Sequence, residues 1–253
     1  MLLSVVGAGP AYTDRPGATG AAYLLRWNGS SLLLDLGQGS FTRLAGLLDP
    51  ASLDAVVISH LHPDHFIDLV PLRHYLRYER PTARVRVIGP DGLASRLDAL
   101  NGEAGFSAAA LDVAPLAEGP LTVGPFRIDV ARVTHTDSSF GFRVSTDGGR
   151  SDAPGLVYSG DCGRAADLDA LARPGDTLLC EVSFGPGPVV AGALHLDGPA
   201  VGELAQRIAA GRVLLTHLQM GFDRAATIDS VLARFDGGPV ELVDPGFETA
   251  IGS

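Results

Sequence analysis

The chain has 253 residues, 46% hydrophobic and 19% charged, which is long enough for one or two domains with a sizeable core and too apolar for a disordered chain or a coiled coil. Nineteen basic against 29 acidic residues leave a formal charge of -10, which argues against broad binding of polyanions such as nucleic acid. Two cysteines, Cys162 and Cys180, exclude a disulfide framework and a four-cysteine zinc site. No apolar run approaches the roughly 20 residues of a membrane span. The segment Met1 to Val6 lacks the basic start of a signal peptide, so a soluble cytoplasmic protein is expected.

In chain order, Leu2 to Val6 reads as a strand that ends in the turn Gly7-Ala8-Gly9-Pro10. Tyr23 to Trp27 and Ser31 to Leu36 flank Asn28-Gly29, a hairpin signal because both residues tolerate positive φ. Ser40 is placed to cap a helix from Phe41 to Leu48, and Ala55 to Ile58 reads as a buried strand. Helical spacing runs from Phe66 to Arg80, with Pro71 near its start. A strand at Val85 to Ile88 and a helix from Gly92 to Leu100 follow. Residues 101–120, rich in Ala, Gly and Pro, read as a covering loop that could close over a substrate. Strands return at Leu121–Val123, Phe126–Val133, Phe140–Ser145 and Leu156–Ser159, with Asp147-Gly148-Gly149 as a connecting turn. The rest alternates: helix 164–172, strand Thr177–Cys180, helix 199–210, strand Val213–Thr216, helix 224–235 and terminal strands near Val240–Val243. Hairpins first and β/α units later, with no linker or repeat, predict one α/β domain over 1–253 whose sheets carry helices on their outer faces.

The segment Ser59-His60-Leu61-His62-Pro63-Asp64-His65 decides the functional reading. Three imidazoles and a carboxylate fall within six residues directly after a buried strand, at the strand end where the active sites of open sheets gather. Neutral imidazole and carboxylate are the ligands of zinc and similar divalent ions. Later apolar runs end in Val133-Thr134-His135, Ser159-Gly160-Asp161 and Leu215-Thr216-His217. Of the seven histidines, His74 sits mid-helix and reads as an ordinary face residue. Gly7-Ala8-Gly9 lacks the third glycine of a dinucleotide fingerprint, because Tyr12 holds that position, and reads as a simple turn.

The cluster and the ordered later ligands resemble the HxHxDH signature of the metallo-β-lactamase fold superfamily. The resemblance implies a four-layer αββα sandwich in which His60, His62 and His135 hold one metal. Asp64, His65 and His217 would hold the second, with Asp161 shared between them. It also implies two divalent ions, Zn2+ with Mn2+ or Fe as alternatives, and attack by a bridging hydroxide. Two cations against the Asp64 and Asp161 carboxylates and that hydroxide leave the inner site net positive, suited to a small anion.

Cys180-Glu181-Val182-Ser183-Phe184, then His195-Leu196-Asp197-Gly198 before a helix, resembles the ribonuclease Z-like phosphodiesterase branch. By that resemblance His195 would protonate the leaving oxygen, Glu181 would orient it, and Asp64 would serve catalysis as well as metal binding. The basic arm that grips tRNA is absent between His135 and His195. A phosphonate-pathway relative needs a cysteine-rich zinc site that two Cys cannot build. Ser139-Phe140-Gly141-Phe142-Arg143, together with the site segments and the Gly7–Pro10 turn, is most similar to atypical cyclic nucleotide phosphodiesterases of actinobacterial type. Cys162, where Thr is common, and Gln219-Met220-Gly221, in place of a proline-rich run, depart from that pattern. The expected substrate is a small anionic phosphodiester, a 3′,5′-cyclic nucleotide first. No stable nucleic-acid complex and no membrane association are expected, and a homodimer is implied only by resemblance. The alternatives are an armless tRNA 3′ endonuclease, a lactone, thioester or lactam hydrolase of the same fold, and a non-catalytic metal-binding or ligand-sensing protein that retains the fold.

Overall fold

The computed structural model describes residues 1–146, 153–190 and 192–252, so the predicted turn Asp147-Gly148-Gly149 lies outside the described residues. The first half runs β1 (Leu2–Gly7), β2 (Ala22–Trp27), β3 (Ser30–Leu34), α1 (Ser40–Leu47), β4 (Ala55–Val57), α2 (Pro63–Phe66), α3 (Leu69–Glu79), β5 (Val85–Gly89), α4 (Leu93–Asn101) and β6 (Leu111–Pro115). The second half runs β7 (Gly119–Val123), β8 (Phe126–Arg132), β9 (Phe140–Thr146), β10 (Leu156–Tyr158), β11 (Thr177–Glu181), α5 (Gly198–Arg207), β12 (Arg212–Thr216), α6 (Arg224–Leu232), β13 (Val240–Leu242) and β14 (Glu248–Ala250).

These strands make two seven-stranded sheets, ordered β14-β1-β2-β3-β4-β5-β6 and β13-β12-β11-β10-β9-β8-β7. In each sheet an antiparallel half (β14 to β3, and β7 to β10) passes into a parallel half with longer crossovers. The hairpin at Asn28-Gly29 has φ of 48° and 83°, the positive pair that a tight two-residue turn needs.

Side-chain alternation builds the layers. Leu32 and Leu34 face the second sheet, among Phe126, Phe142 and Tyr158, while Leu33 between them packs outward with Leu44, Leu72 and Leu97 from the helices. On the second sheet Leu179 and Leu214 point inward, and Leu178, Val213 and Leu215 meet Val201, Leu204 and Val231 of α5 and α6. Strands buried on both faces read as continuous apolar runs, which is why β3, β4 and β12 show no alternation in sequence. The layers are therefore helix, sheet, sheet, helix, the predicted αββα sandwich. Among the described residues no helix is long and apolar enough to cross a membrane.

Several local expectations are corrected. Ser40 does not cap α1; Gly39, at φ 76°, takes that position, and the Ser40 hydroxyl donates to the Gly37 carbonyl. The helix predicted from Phe66 to Arg80 is two helices, because Asp68 turns its backbone N–H to Leu36 O and restarts the chain as α3. Pro71 then falls in the first turn of α3, where its missing N–H costs nothing. Residues 101–120 are not a covering loop. They hold β6, which pairs in parallel with β5 from Val85–Leu111 to Gly89–Pro115 and forms the sheet edge. The helix predicted at 164–172 is only a short 3-10 turn at Ala165–Leu168. The preceding residues are tied down, Cys162 N to Glu181 and Cys162 Sγ to Arg164 O, and Pro174-Gly175 closes the stretch.

Candidate metal centre

Every residue of the predicted cluster sits just beyond the C-terminal end of a strand: 60–65 after β4, His135 after β8, Asp161 after β10 and His217 after β12. Pro63 opens α2 with His62 in its N-cap position, and the His65 N–H closes onto His62 O at 2.9 Å. Backbone bonds from Ala21 N to Asp64 O and from Leu36 N to His65 O fasten this loop to the first sheet. Gly37 is required by that contact, because a Cβ there would collide with the Asp64 carbonyl.

The side chains converge in two groups whose candidate ligand atoms lie within 4.8 Å of one another: His60, His62, His135 and Asp161, and then Asp64, His65, Asp161 and His217. In the first group His62 Nδ1 is 3.0 Å from His135 Nε2, and Asp161 Oδ2 is 3.7 Å from both His60 Nε2 and His135 Nε2. In the second, His217 Nε2 is 3.0 Å from Asp64 Oδ2 and 3.4 Å from His65 Nε2. Asp161 Oδ1 faces that group at 3.3 Å from His65 and 3.5 Å from His217. One carboxylate thus turns one oxygen to each group.

The donors fit divalent cations. His60 Nε2 and Asp161 Oδ1 are buried without a hydrogen-bond partner, an arrangement costing about 1–3 kcal/mol per group unless something else coordinates them. Burial, then the neighbouring imidazoles of His65, His135 and His62, hold His60 well below the usual histidine range and so neutral, the ligating form. Burial alone would raise Asp161, but His217, His65 and His60 hold it well below the usual carboxylate range. Nitrogen and oxygen donors of this kind suit zinc, manganese or iron.

A supporting layer aims the imidazoles. Asp35, fully buried and held at φ 59°, accepts from Ser59 N at 2.6 Å, Ser59 Oγ at 2.7 Å and Tyr158 Oη at 2.7 Å. It also pairs with His65 Nδ1 at 2.8 Å, which turns Nε2 of that ring toward the cluster. His135 Nδ1 donates to Leu194 O at 2.8 Å, and His217 Nδ1 meets Ser183 Oγ at 3.0 Å. His217 has φ 60°, a sparsely populated conformation for a histidine, and its N–H donates to Ala8 O at 2.9 Å. The Gly7–Pro10 turn therefore supports the site from behind. Sequence reasoning missed Asp35, Tyr158 and Ser183 as site residues. Asp35 carried a signal: one carboxylate within the apolar run Leu32 to Leu36.

Beside the second group, Glu181 Oε1 lies 2.9 Å from His195 Nδ1. Glu181, 1% exposed, also accepts from Cys162 N at 2.9 Å and from Ser183 Oγ at 2.5 Å. Burial pulls His195 down, but the hydrogen bond and charge of Glu181 outweigh it and leave the ring raised above the usual histidine range. Among the described residues His195 Nε2 has no protein partner, so that nitrogen is available to a ligand. His74 stands apart on α3, bonded to Val70 O and packed on Phe106.

The β-lactamase superfamily domain matches residues 33–218. An uncharacterized protein of Mycobacterium tuberculosis is 37% identical over 243 residues, covering 92% of this chain and 87% of that protein. A ribonuclease Z of Kineococcus radiotolerans is 29% identical over 220 residues, covering 81% of this chain and 67% of that one. The crystal structure of the metallo-β-lactamase fold protein YhfI of Bacillus subtilis superposes with a TM-score of 0.86 at 24% identity, over 98% of this chain and 99% of that one. At the sequence level YhfI, described as a probable metallo-hydrolase, is 28% identical over 222 residues, covering 86% of this chain and 87% of that protein. The chain belongs to the β-lactamase superfamily domain family, as a metallo-hydrolase of the metallo-β-lactamase fold in its ribonuclease Z-like branch.

Proposed function

We propose that this metallo-hydrolase is a dinuclear phosphodiesterase for small substrates, with a 3′,5′-cyclic nucleotide foremost. In this reading His60, His62 and His135 hold one divalent cation, Asp64, His65 and His217 hold a second, and Asp161 serves both. A pair of such cations supplies Lewis acidity toward phosphoryl oxygens and toward water. His195 binds the phosphodiester through Nε2 and delivers the proton to the departing alkoxide oxygen. Glu181 keeps the Nδ1 proton in place and stabilises the imidazolium before transfer. Ser183 holds the Glu181, His195 and His217 side chains in one register. Asp64 fixes the His217 ring across the cluster.

The observation that carries this reading is the pairing of buried Glu181 with half-buried His195 at 2.9 Å beside the His217 side of the cluster. Hydrolysis of a phosphodiester breaks a P–O bond and expels an alkoxide that needs a proton, and this pair is a proton donor beside the place where the anion would sit. The test combines elemental analysis with turnover of bis-p-nitrophenyl phosphate, cyclic nucleotides, a linear dinucleotide, precursor tRNA and a lactone. Two metal ions per chain with hydrolysis of the phosphodiesters, cyclic nucleotides above tRNA, is the expected result. Turnover confined to the lactone overturns the reaction class, and turnover confined to precursor tRNA overturns the substrate.

A further inference from the structure

A concavity adjoins the cluster. It measures about 250 Å3 and is lined by Leu61, His62, Arg96, Thr136, Asp137 and Ser138. His62 belongs to both cavity and cluster, and Thr136 directly follows His135, so the cavity lies at the mouth on the side of the first group. Whole drug-sized ligands occupy pockets from roughly 300 Å3 upward, so this one suits a single part of a substrate.

Two opposite charges there are uncommitted among the described residues. Arg96, on α4, donates Nη1 to the Leu61 carbonyl at 2.8 Å and forms no ion pair. Asp137 accepts from Arg132 at 2.9 Å through its backbone carbonyl, while its carboxylate has no hydrogen-bond or ionic partner. Arg96 and Asp137, both exposed, line the cavity without pairing to each other.

We propose that this cavity is the nucleobase subsite and that Arg96 and Asp137 read a guanine edge; the inference rests on the phosphodiesterase reading above. Guanine presents acceptors at O6 and N7, the edge that arginine grips in bidentate fashion, and donors at N1 and N2 that suit a carboxylate. Adenine puts an amino donor where guanine has O6, so Arg96 would face a donor. A second phosphate would also attract Arg96, but it would meet the Asp137 carboxylate, so a base is favoured over the extra phosphate of a longer substrate.

The experiment measures kcat/KM for 3′,5′-cyclic GMP and cyclic AMP in metal-loaded wild type, Arg96→Ala and Asp137→Asn. Bis-p-nitrophenyl phosphate serves as a substrate without a base, and binding of guanosine and adenosine 5′-monophosphate is titrated by calorimetry. Wild type is expected to favour the guanine nucleotide by about tenfold or more. Arg96→Ala loses most of that preference through KM, loses less on bis-p-nitrophenyl phosphate than on cyclic GMP, and weakens the guanosine nucleotide more than the adenosine one. Equal use of the two bases by wild type, or a preference unchanged in Arg96→Ala, overturns the inference. An equal loss on every substrate also overturns it, because Arg96 would then act only by holding Leu61. If neither cyclic nucleotide is cleaved but guanosine monophosphate still binds more tightly through Arg96, the cyclic substrate fails and the subsite stands. Cleavage of both without discrimination does the reverse.

Discussion

Asp35→Asn probes the support of the cluster with almost no change in shape. Asp35 Oδ2 takes Ser59 Oγ, Tyr158 Oη and His65 Nδ1 at 2.7, 2.7 and 2.8 Å, while Oδ1 takes the Ser59 backbone N–H at 2.6 Å. The asparagine amide can turn either way, and each way sets a donor against a donor. With the amino group at the Oδ1 position it opposes a backbone N–H that cannot reverse. At the Oδ2 position the two hydroxyls can rotate to accept, but His65 must move its proton to Nε2. That proton would occupy the lone pair aimed at the second group. One unsatisfied buried donor costs about 1–3 kcal/mol, equivalent to a fall in Tm of about 2–12 °C for a chain of this size. Loss of such a support reduces metal affinity by about 10–100-fold. Thermal unfolding of the metal-free protein and competition with a chelator for the second equivalent of metal measure the two effects separately. An affinity within about threefold of wild type would refute the assignment of Asp35 as the residue that sets the His65 tautomer.

His62→Ala should lower both metal content and turnover, whereas His195→Ala should keep the metal and slow poor leaving groups more than p-nitrophenolate; elemental analysis and a leaving-group series separate them. An equal metal loss in both variants would contradict the division of roles. Ser183→Ala removes the buried hydroxyl that joins Glu181, His195 and His217, so kcat should fall, and the unpaired His217 Nδ1 should also lower Tm by a few degrees in thermal unfolding. Asp176→Ala leaves Arg143, 3% exposed, without its bidentate partner at 2.7 and 2.9 Å. A loss of about 3–5 kcal/mol in urea unfolding is expected, with the metal ligands untouched. Gly37→Ala should yield poorly folded protein, since the backbone of Asp64 cannot retreat from a new Cβ.

The convergence of the candidate cluster was legible because its side chains are crowded into residues 60–65 and repeated as His or Asp just past apolar runs. The sandwich was legible because β3, β4 and β12 are apolar on both faces and so demand cover on both sides. Asp35, Tyr158 and Ser183 were not, because each acts through a neighbour remote in sequence: 123 residues separate Asp35 from Tyr158. β6 was missed because Ala114 and Pro115 carry no strand signal, and its place at the edge comes from pairing with β5. The 164–172 misreading came from alanine content, a helix propensity that is a weak guide and yields to tertiary context.

Anomalous diffraction at the zinc absorption edge, from crystals grown with zinc, tests the central claim most directly. The account predicts two peaks per chain, one among His60, His62 and His135 and one among Asp64, His65 and His217, with an Asp161 oxygen facing each. A single peak, or two peaks elsewhere, would contradict it.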